Sequence, residues 1–123
     1  MSHIVSIKTK VTDPAALSAA CRRLGLEPPV QGTATLFSSQ VTGQIINLPG
    51  WNYPVVADIQ SGEVKFDNYG GAWGQQEELD KLLQAYAVEK AKAEARRVGH
   101  SVTEQALSNG SIKLVIQVAG GAA

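Results

Sequence analysis

The sequence predicts an α+β domain: a mainly antiparallel sheet of five to six strands with one short and one long helix packed on one face. Three observations support this class: a helical pattern over residues 75–98, a hairpin pattern over residues 54–67, and a second hairpin pattern over residues 102–118. Strands that precede and follow helices in this order are typical of helices grouped on one face of an antiparallel sheet.

The long helix is predicted to run from about Gln75 to Val98. Acidic residues lie in its first turns and the basic pair Arg96 and Arg97 lies in its last turn, as the helix dipole favours. Gly99 follows, where many helices end in a left-handed residue. The apolar stripe shifts by roughly a third of a turn between the two halves. We therefore expect the first half to pack on the core, and the alanine-rich second half to wrap around the sheet or to contact something else.

The residues around its first turn indicate where the short helix begins. A strand with alternating apolar residues is predicted over residues 3–11. Asp13 can then cap a helix that begins at Pro14, a residue that suits the first helical position. The buried stripe of this helix includes Cys21, which is therefore interpreted as a small core residue.

Two strands are predicted over residues 33–37 and 41–48, with residues 38–40 as the turn between them. The final hairpin turns at Asn109-Gly110, a strong hairpin signal. In the middle hairpin, a two-residue turn at Ser61-Gly62 would pair Ala57 with Phe66 on one face and Asp58 with Lys65 on the other.

Length and composition predict one domain over residues 1–118 and a flexible tail over residues 119–123. Eleven acidic and eleven basic residues give no net charge, so nucleic acid and anionic membranes are not expected partners. One cysteine cannot form an intrachain disulfide or a cysteine-rich metal site. No apolar run is long enough to span a membrane and no signal-peptide pattern is present, so we expect a cytoplasmic protein.

Short motifs along nearly the whole chain resemble a known family. They are Met1-Ser2-His3, Ile7-Lys8-Thr9, Ala16-Leu17, Leu24-Gly25, Val56-Ala57-Asp58, Gln84-Ala85-Tyr86-Ala87 and Asn109-Gly110-Ser111-Ile112-Lys113-Leu114. In these motifs the chain is similar to the family of small proteins of unknown function represented by the conserved chloroplast and cyanobacterial hypothetical reading frame thirty-five. The resemblance implies a compact α+β domain of about this length, and it implies no established activity.

The resemblance also implies an accessory role. Members often look like parts of small gene clusters that can include ATPases of the AAA type or a ferredoxin-like protein. No catalytic residue is carried over with the resemblance. The stretch of residues 51–74 is richer in aromatic residues and glycine here than in the plastid-type members, so a shared site in that stretch is not implied.

Four aromatic residues at the two ends of the middle hairpin form the candidate partner-binding surface: Trp51, Tyr53, Tyr69 and Trp73. Antiparallel pairing brings the two ends of the hairpin together in space. Tryptophan and tyrosine are over-represented in binding hot spots, but they are also ordinary core residues. Both interpretations stay open at this point.

Three glycines, Gly70, Gly71 and Gly74, open the long helix directly after a strand. Backbone amides at such a helix entrance can hold a phosphate or a carboxylate. Their spacing matches neither the P-loop nor the dinucleotide fingerprint. The alternative is a tight turn that needs glycine, with Trp73 packed onto the start of the helix.

Catalytic chemistry has little support in the sequence. His3 and His100 lack metal-ligand spacing to each other or to the cysteine. Asp58 is expected to form a surface pair with Lys65, which contributes little to stability. We therefore predict no catalytic residue, no metal and no cofactor.

The leading functional hypothesis is a small non-enzymatic interaction or accessory module that binds a protein partner through the aromatic surface. An AAA-type ATPase system is the partner that the family resemblance implies. The alternative hypothesis is an anion- or nucleotide-binding protein, or an enzyme acting on such a ligand, that uses the glycine-rich helix entrance. Self-association into a homo-oligomer through an exposed sheet edge or the outer half of the helix is a third hypothesis.

Overall fold

This computed structural model describes residues 4–118 of the chain. The range contains two α-helices, one short 3₁₀ helix and seven strands. In chain order the elements are β1 (Val5–Lys8), α1 (Pro14–Arg23), β2 (Val30–Leu36), β3 (Ser39–Ile46), β4 (Val55–Ala57), β5 (Glu63–Phe66), a short 3₁₀ helix (Tyr69–Gly71), α2 (Gln76–Arg97), β6 (Ser101–Ala106) and β7 (Ile112–Gln117). The predicted α+β class is confirmed. The tail predicted over residues 119–123 and the first residues of the chain lie outside the described range.

Five strands form one antiparallel sheet in the order β1-β5-β4-β3-β2, and β6 and β7 form a separate two-stranded sheet. A single core joins the main sheet to the two helices. Its largest fully buried members include Leu17 of α1, Ile46 of β3 and Leu79 of α2. The main sheet therefore holds five strands, and the last hairpin lies outside it.

The start of α1 is fixed by its own cap and by α2. The Asp13 carboxylate accepts hydrogen bonds from the amides of Ala15 and Ala16 at 3.0 and 3.3 Å, as the sequence predicts. The Tyr86 hydroxyl of α2 accepts from the amides of Thr12 and Asp13 at 3.1 and 3.0 Å. A buried tyrosine hydroxyl thus satisfies two backbone donors just before α1.

The long helix begins and ends within a residue or two of its predicted limits. Lys92 in its second half pairs with Glu104 of the β6–β7 hairpin, and Val88 and Ala95 of this half are buried but do not belong to the core cluster. The shift of the apolar stripe has its cause in this contact, because the first half faces the main sheet and the second half faces a different sheet.

An ion cluster holds the hairpin to the helices. Glu104 of β6 pairs with both Arg23 of α1 and Lys92 of α2, the latter at 2.6 Å. Arg23 also lies 3.1 Å from Glu89. Hydrogen bonds from Arg23 and then Lys92 lower the pKa of Glu104 to about 2. The three elements are therefore joined by charge as well as by apolar contact.

The register predicted for the middle hairpin is wrong by two residues. Ala57 pairs with Val64 rather than with Phe66, so the predicted cross-strand pair of Asp58 and Lys65 does not form. Asp58 instead accepts from the amide of Gln60 at 3.0 Å and closes a longer turn, and backbone hydrogen bonding from Gln60 lowers the pKa of Asp58. This local side-chain hydrogen bond stabilises the longer turn relative to the two-residue turn that the sequence predicts.

Candidate functional site

Trp73 is stacked with two other aromatic rings at the end of the middle hairpin. The centroid of the Trp73 ring lies 4.7 Å from that of Tyr69 and 5.4 Å from that of Phe37. The ring planes are 22° and 23° apart. Tyr53 contacts two of these rings edge-on, with its centroid 5.6 Å from Trp73 and 6.5 Å from Phe37. We call these four residues the aromatic stack.

The outer members of the aromatic stack face solvent. Phe37 is 54% exposed and Tyr69 is 43% exposed, while Trp73 and Tyr53 are half-buried. Ring distances of 4.5–7 Å are those at which aromatic pairs attract each other. The stack is therefore an ordered apolar surface in which a half-buried tryptophan contacts two exposed aromatic residues.

Phe37 lies at a turn position that the sequence does not predict. The turn expected over residues 38–40 is wrong, because Leu36 pairs with Ser39 and the turn residues are Phe37 and Ser38. Phe37 takes a φ of 50°. Two-residue hairpin turns need a positive φ at their first position, and there a phenylalanine pays a steric cost that glycine avoids.

Tyr69 has the same unusual backbone, with a φ of 48°. It lies at the start of the short 3₁₀ helix, and its amide donates to the buried Asp67 carboxylate at 3.2 Å. A carboxylate that accepts from the amide two residues later is a standard means of holding a tight turn. Asp67 therefore helps to position the Tyr69 ring against Trp73.

The backbone of Trp73 is held on both sides. Its amide donates to the Asn68 carbonyl at 2.9 Å, and its carbonyl accepts from the Asn52 amide at 2.8 Å. The buried Asn68 side chain donates to the Gly74 carbonyl at 3.1 Å. These bonds fix the loop that carries the central ring, so the stack is formed before any partner binds.

Trp51 is separated from the aromatic stack. Its ring packs edge-on against Phe66 at 5.7 Å and contacts the core. Its indole N–H donates to the Gln75 carbonyl at 3.0 Å, and a Cβ on Gly74 would overlap the indole ring. The structure brings together Tyr53, Tyr69 and Trp73, three of the four aromatic residues proposed from the sequence. The fourth, Trp51, packs against the core instead.

The glycine-rich helix entrance forms a tight turn. The amides of Gly71 and Gly74 donate to the carbonyls of Asn68 and Gly71, at 3.0 and 3.4 Å. Gly70 and Gly71 take positive φ values of 62° and 106°, which explains the glycines. The open groove beside them, about 500 Å³, is also lined by Glu78, whose charge disfavours an anion. The anion hypothesis stays a prediction with little geometric support.

The one cysteine of the chain lies in the core. Cys21 is fully buried, and burial raises the pKa of its thiol, which disfavours the nucleophilic thiolate. Residues 4–118 contain no group of three or more histidine, cysteine, aspartate or glutamate side chains placed to bind a metal ion. Within the same range, no helix has the length and apolar character to cross a membrane.

No family model, no curated protein and no solved structure matches the chain. The family resemblance drawn from the short motifs is therefore a prediction without independent support. The site rests on geometry alone, and its most exposed member, Phe37, is one that sequence reasoning missed. The only sequence signal for Phe37 is an aromatic residue directly before two serines, which indicates a turn but not a ring contact.

Proposed function

We propose that this protein is a small non-enzymatic interaction module that binds a protein partner through the aromatic stack. One observation carries the proposal. Among residues 4–118, the two non-glycine residues with positive φ are Phe37 and Tyr69. Both residues are exposed, and the rings of both are stacked with the Trp73 ring.

The backbone conformation of these two residues disfavours the arrangement. A left-handed backbone costs an L-residue roughly 1–2 kcal/mol, and a stacked aromatic pair returns about 0.5–1.5 kcal/mol. Because Phe37 is 54% exposed and Tyr69 is 43% exposed, burial stabilises them less than it stabilises a core aromatic residue. Strained backbone of this kind concentrates at functional sites, so a role in binding accounts for aromatic residues where glycine would fit without strain.

The aromatic stack also has the properties of a binding hot spot. Tryptophan and tyrosine contribute a large share of the binding energy at protein interfaces. Aromatic side chains have few rotatable bonds, and these are already ordered against each other, so little conformational entropy is lost when a partner covers them. The accessory role implied by the family resemblance fits a surface of this kind, with an AAA-type ATPase system as the proposed class of partner.

The test is affinity capture from the cells that make this protein, with the full chain as bait. Wild type is compared with Tyr69→Ala and Trp73→Ala. The matched control is Val98→Ala, which shortens an apolar side chain of similar exposure, 53%, at the end of α2. The unfolding free energy of each variant is measured in urea.

We expect one protein to be enriched by wild type and by Val98→Ala, and at least about tenfold less by the two stack variants, as for loss of a hot-spot residue. Equal enrichment by all four baits would overturn the proposal. So would a loss of capture that matches, variant by variant, a loss of folded protein.

A further inference from the structure

The β6–β7 hairpin has a free edge. In residues 4–118, β7 pairs only with β6, and this sheet does not join the main sheet. β6 is held to the helices by Glu104, while β7 makes fewer contacts with α2. β7 is therefore the outer strand, and its far edge presents backbone hydrogen-bonding groups to solvent.

The register identifies which groups face outward. The Leu107 amide donates to the Ser111 carbonyl at 2.9 Å, and bonded pairs alternate along an antiparallel ladder. Within the β6–β7 register, Lys113, Val115 and Gln117 therefore bond to β6. Their neighbours on β7 direct both N–H and C=O toward the free edge; these are Ile112, Leu114 and Ile116.

The side chains along this edge are apolar and poorly covered. No residue of β6 or β7 is buried. Val115, Ile116 and Val118 are 41%, 47% and 60% exposed. An isolated two-stranded hairpin is only marginally stable in water, and an exposed apolar edge strand is a site where another strand pairs.

We propose that the free edge of β7 pairs antiparallel with β7 of a second copy, so that two hairpins form one four-stranded sheet. A two-fold axis at Leu114 lets all three outward-facing residues exchange hydrogen bonds with the second copy. That register places Ile112 beside Ile116 of the second copy. It places Lys113 beside Val115 of the second copy, so no like charges meet directly.

Three other strands of the described structure have a free edge, and each fits a second copy less well. The edge strand β2 carries no charge, but its exposed side chains are mostly polar and Gly32 lies in its interior, where glycine weakens a strand.

The equivalent symmetric pairing on β6 would centre on Glu104. It would place the Glu104 carboxylates of the two copies next to each other, and each is already paired with Arg23 and Lys92 of its own copy. On the main sheet, β1 carries Lys8, and an edge lysine protects a strand against pairing. The β7 edge combines exposed apolar side chains with a register in which its one charged residue, Lys113, does not face a like charge.

The experiment measures native mass by light scattering over a dilution series of the full chain. Ile116→Pro removes one outward-facing amide of β7. Val102→Pro is the matched control, because Val102 is the cross-strand partner of Ile116 and its amide points to the other edge. Neither proline removes a hydrogen bond between β6 and β7.

We expect wild type and Val102→Pro to have twice the chain mass of 13.0 kDa and Ile116→Pro to have the single mass. A wild-type monomer up to about 1 mM, at the weak limit of specific association, would overturn the proposal. So would a dimer that survives Ile116→Pro, or one that only Val102→Pro breaks.

Leu114→Cys keeps the test decisive if the proline variants unfold. The native cysteine is fully buried and is therefore not expected to cross-link. New thiols at the two-fold axis would lie close enough to form a disulfide between copies under mild oxidation. A covalent dimer that forms with Leu114→Cys and not with Thr103→Cys on β6 supports the edge pairing. Equal cross-linking of the two variants, or none of either, contradicts it.

Discussion

The two tryptophans lie on the two sides of the same hairpin, and the structure gives them opposite surroundings. Trp51 has its ring against the core and its N–H bonded to the Gln75 carbonyl. Trp73 has its ring stacked with two residues that are themselves exposed. Residue type does not separate an aromatic residue that packs in the fold from one that we propose for binding. The separation depends on whether the neighbouring rings are covered by the fold.

The backbone shows the same contrast. Beside Trp51 the chain has Gly74, which leaves room for the indole. Beside Trp73 the chain has Phe37 and Tyr69 in conformations that favour glycine. Near Trp51 the local conformation serves packing. Near Trp73 large side chains are kept at a steric cost, which is typical of a surface that is maintained for binding.

The largest effect on stability is expected at Trp51. Trp51→Ala should lower the unfolding free energy by about 3 kcal/mol, at the low end for a buried tryptophan because the ring is only partly covered. Urea unfolding followed by circular dichroism measures this. A loss no larger than that of Trp73→Ala would remove the distinction between the two tryptophans.

Gly74→Ala should come next. The new methyl group would overlap the Trp51 ring, and overpacking of this kind costs about 1–3 kcal/mol. The paired variant Gly50→Ala is a control for glycine replacement in open space, although its φ of 75° adds backbone strain. If Gly74→Ala is as stable as wild type, the Trp51 ring is free to move and the proposed packing is wrong.

A smaller effect, remote from both tryptophans, is expected from the ion cluster. Glu104 has its pKa lowered from 4.5 to about 2, so its contribution to stability is fully present above pH 4.5 and is lost as the pH falls toward 2. The Glu104 side chain is 23% exposed, and solvent keeps such pairs to about 1 kcal/mol or less.

Glu104→Gln should therefore be less stable than wild type at pH 7 and should match it near pH 2. Urea unfolding of both proteins across this range measures the difference. A gap that is constant with pH would show that the ion pairs do not hold the hairpin. Tryptophan fluorescence of the folded protein should be unaffected by the substitution, because neither tryptophan is a member of the ion cluster formed by Arg23, Glu89, Lys92 and Glu104.

The helices could be predicted because their signals are local. Asp13 and Pro14 define the start of α1, and the charge order and Gly99 define the ends of α2. The final hairpin was likewise predicted from its Asn109-Gly110 turn. Its separation from the main sheet was not, since the alternation of apolar residues in a strand does not say which strand will pair with it.

The aromatic stack could be predicted only in part. Tyr53, Tyr69 and Trp73 come together because the hairpin joins their segments. Phe37 belongs to a different hairpin, the one formed by β2 and β3. A phenylalanine rarely takes the positive φ that it has there. The contact with Trp73 is tertiary, so no pattern near Phe37 indicates it. The register error in the middle hairpin similarly arose from the side-chain hydrogen bond of Asp58.

The most direct test of the central claim is the substitution Phe37→Gly, with stability and partner binding measured on the same protein. Glycine relieves the positive φ of 50°, a gain of roughly 1–2 kcal/mol, while the lost stacking costs about 0.5–1.5 kcal/mol per pair. We predict an unfolding free energy within about 1 kcal/mol of wild type, and affinity for the captured partner at least about tenfold weaker. A stability loss of about 3 kcal/mol with unchanged affinity would instead make Phe37 a core residue and contradict the account.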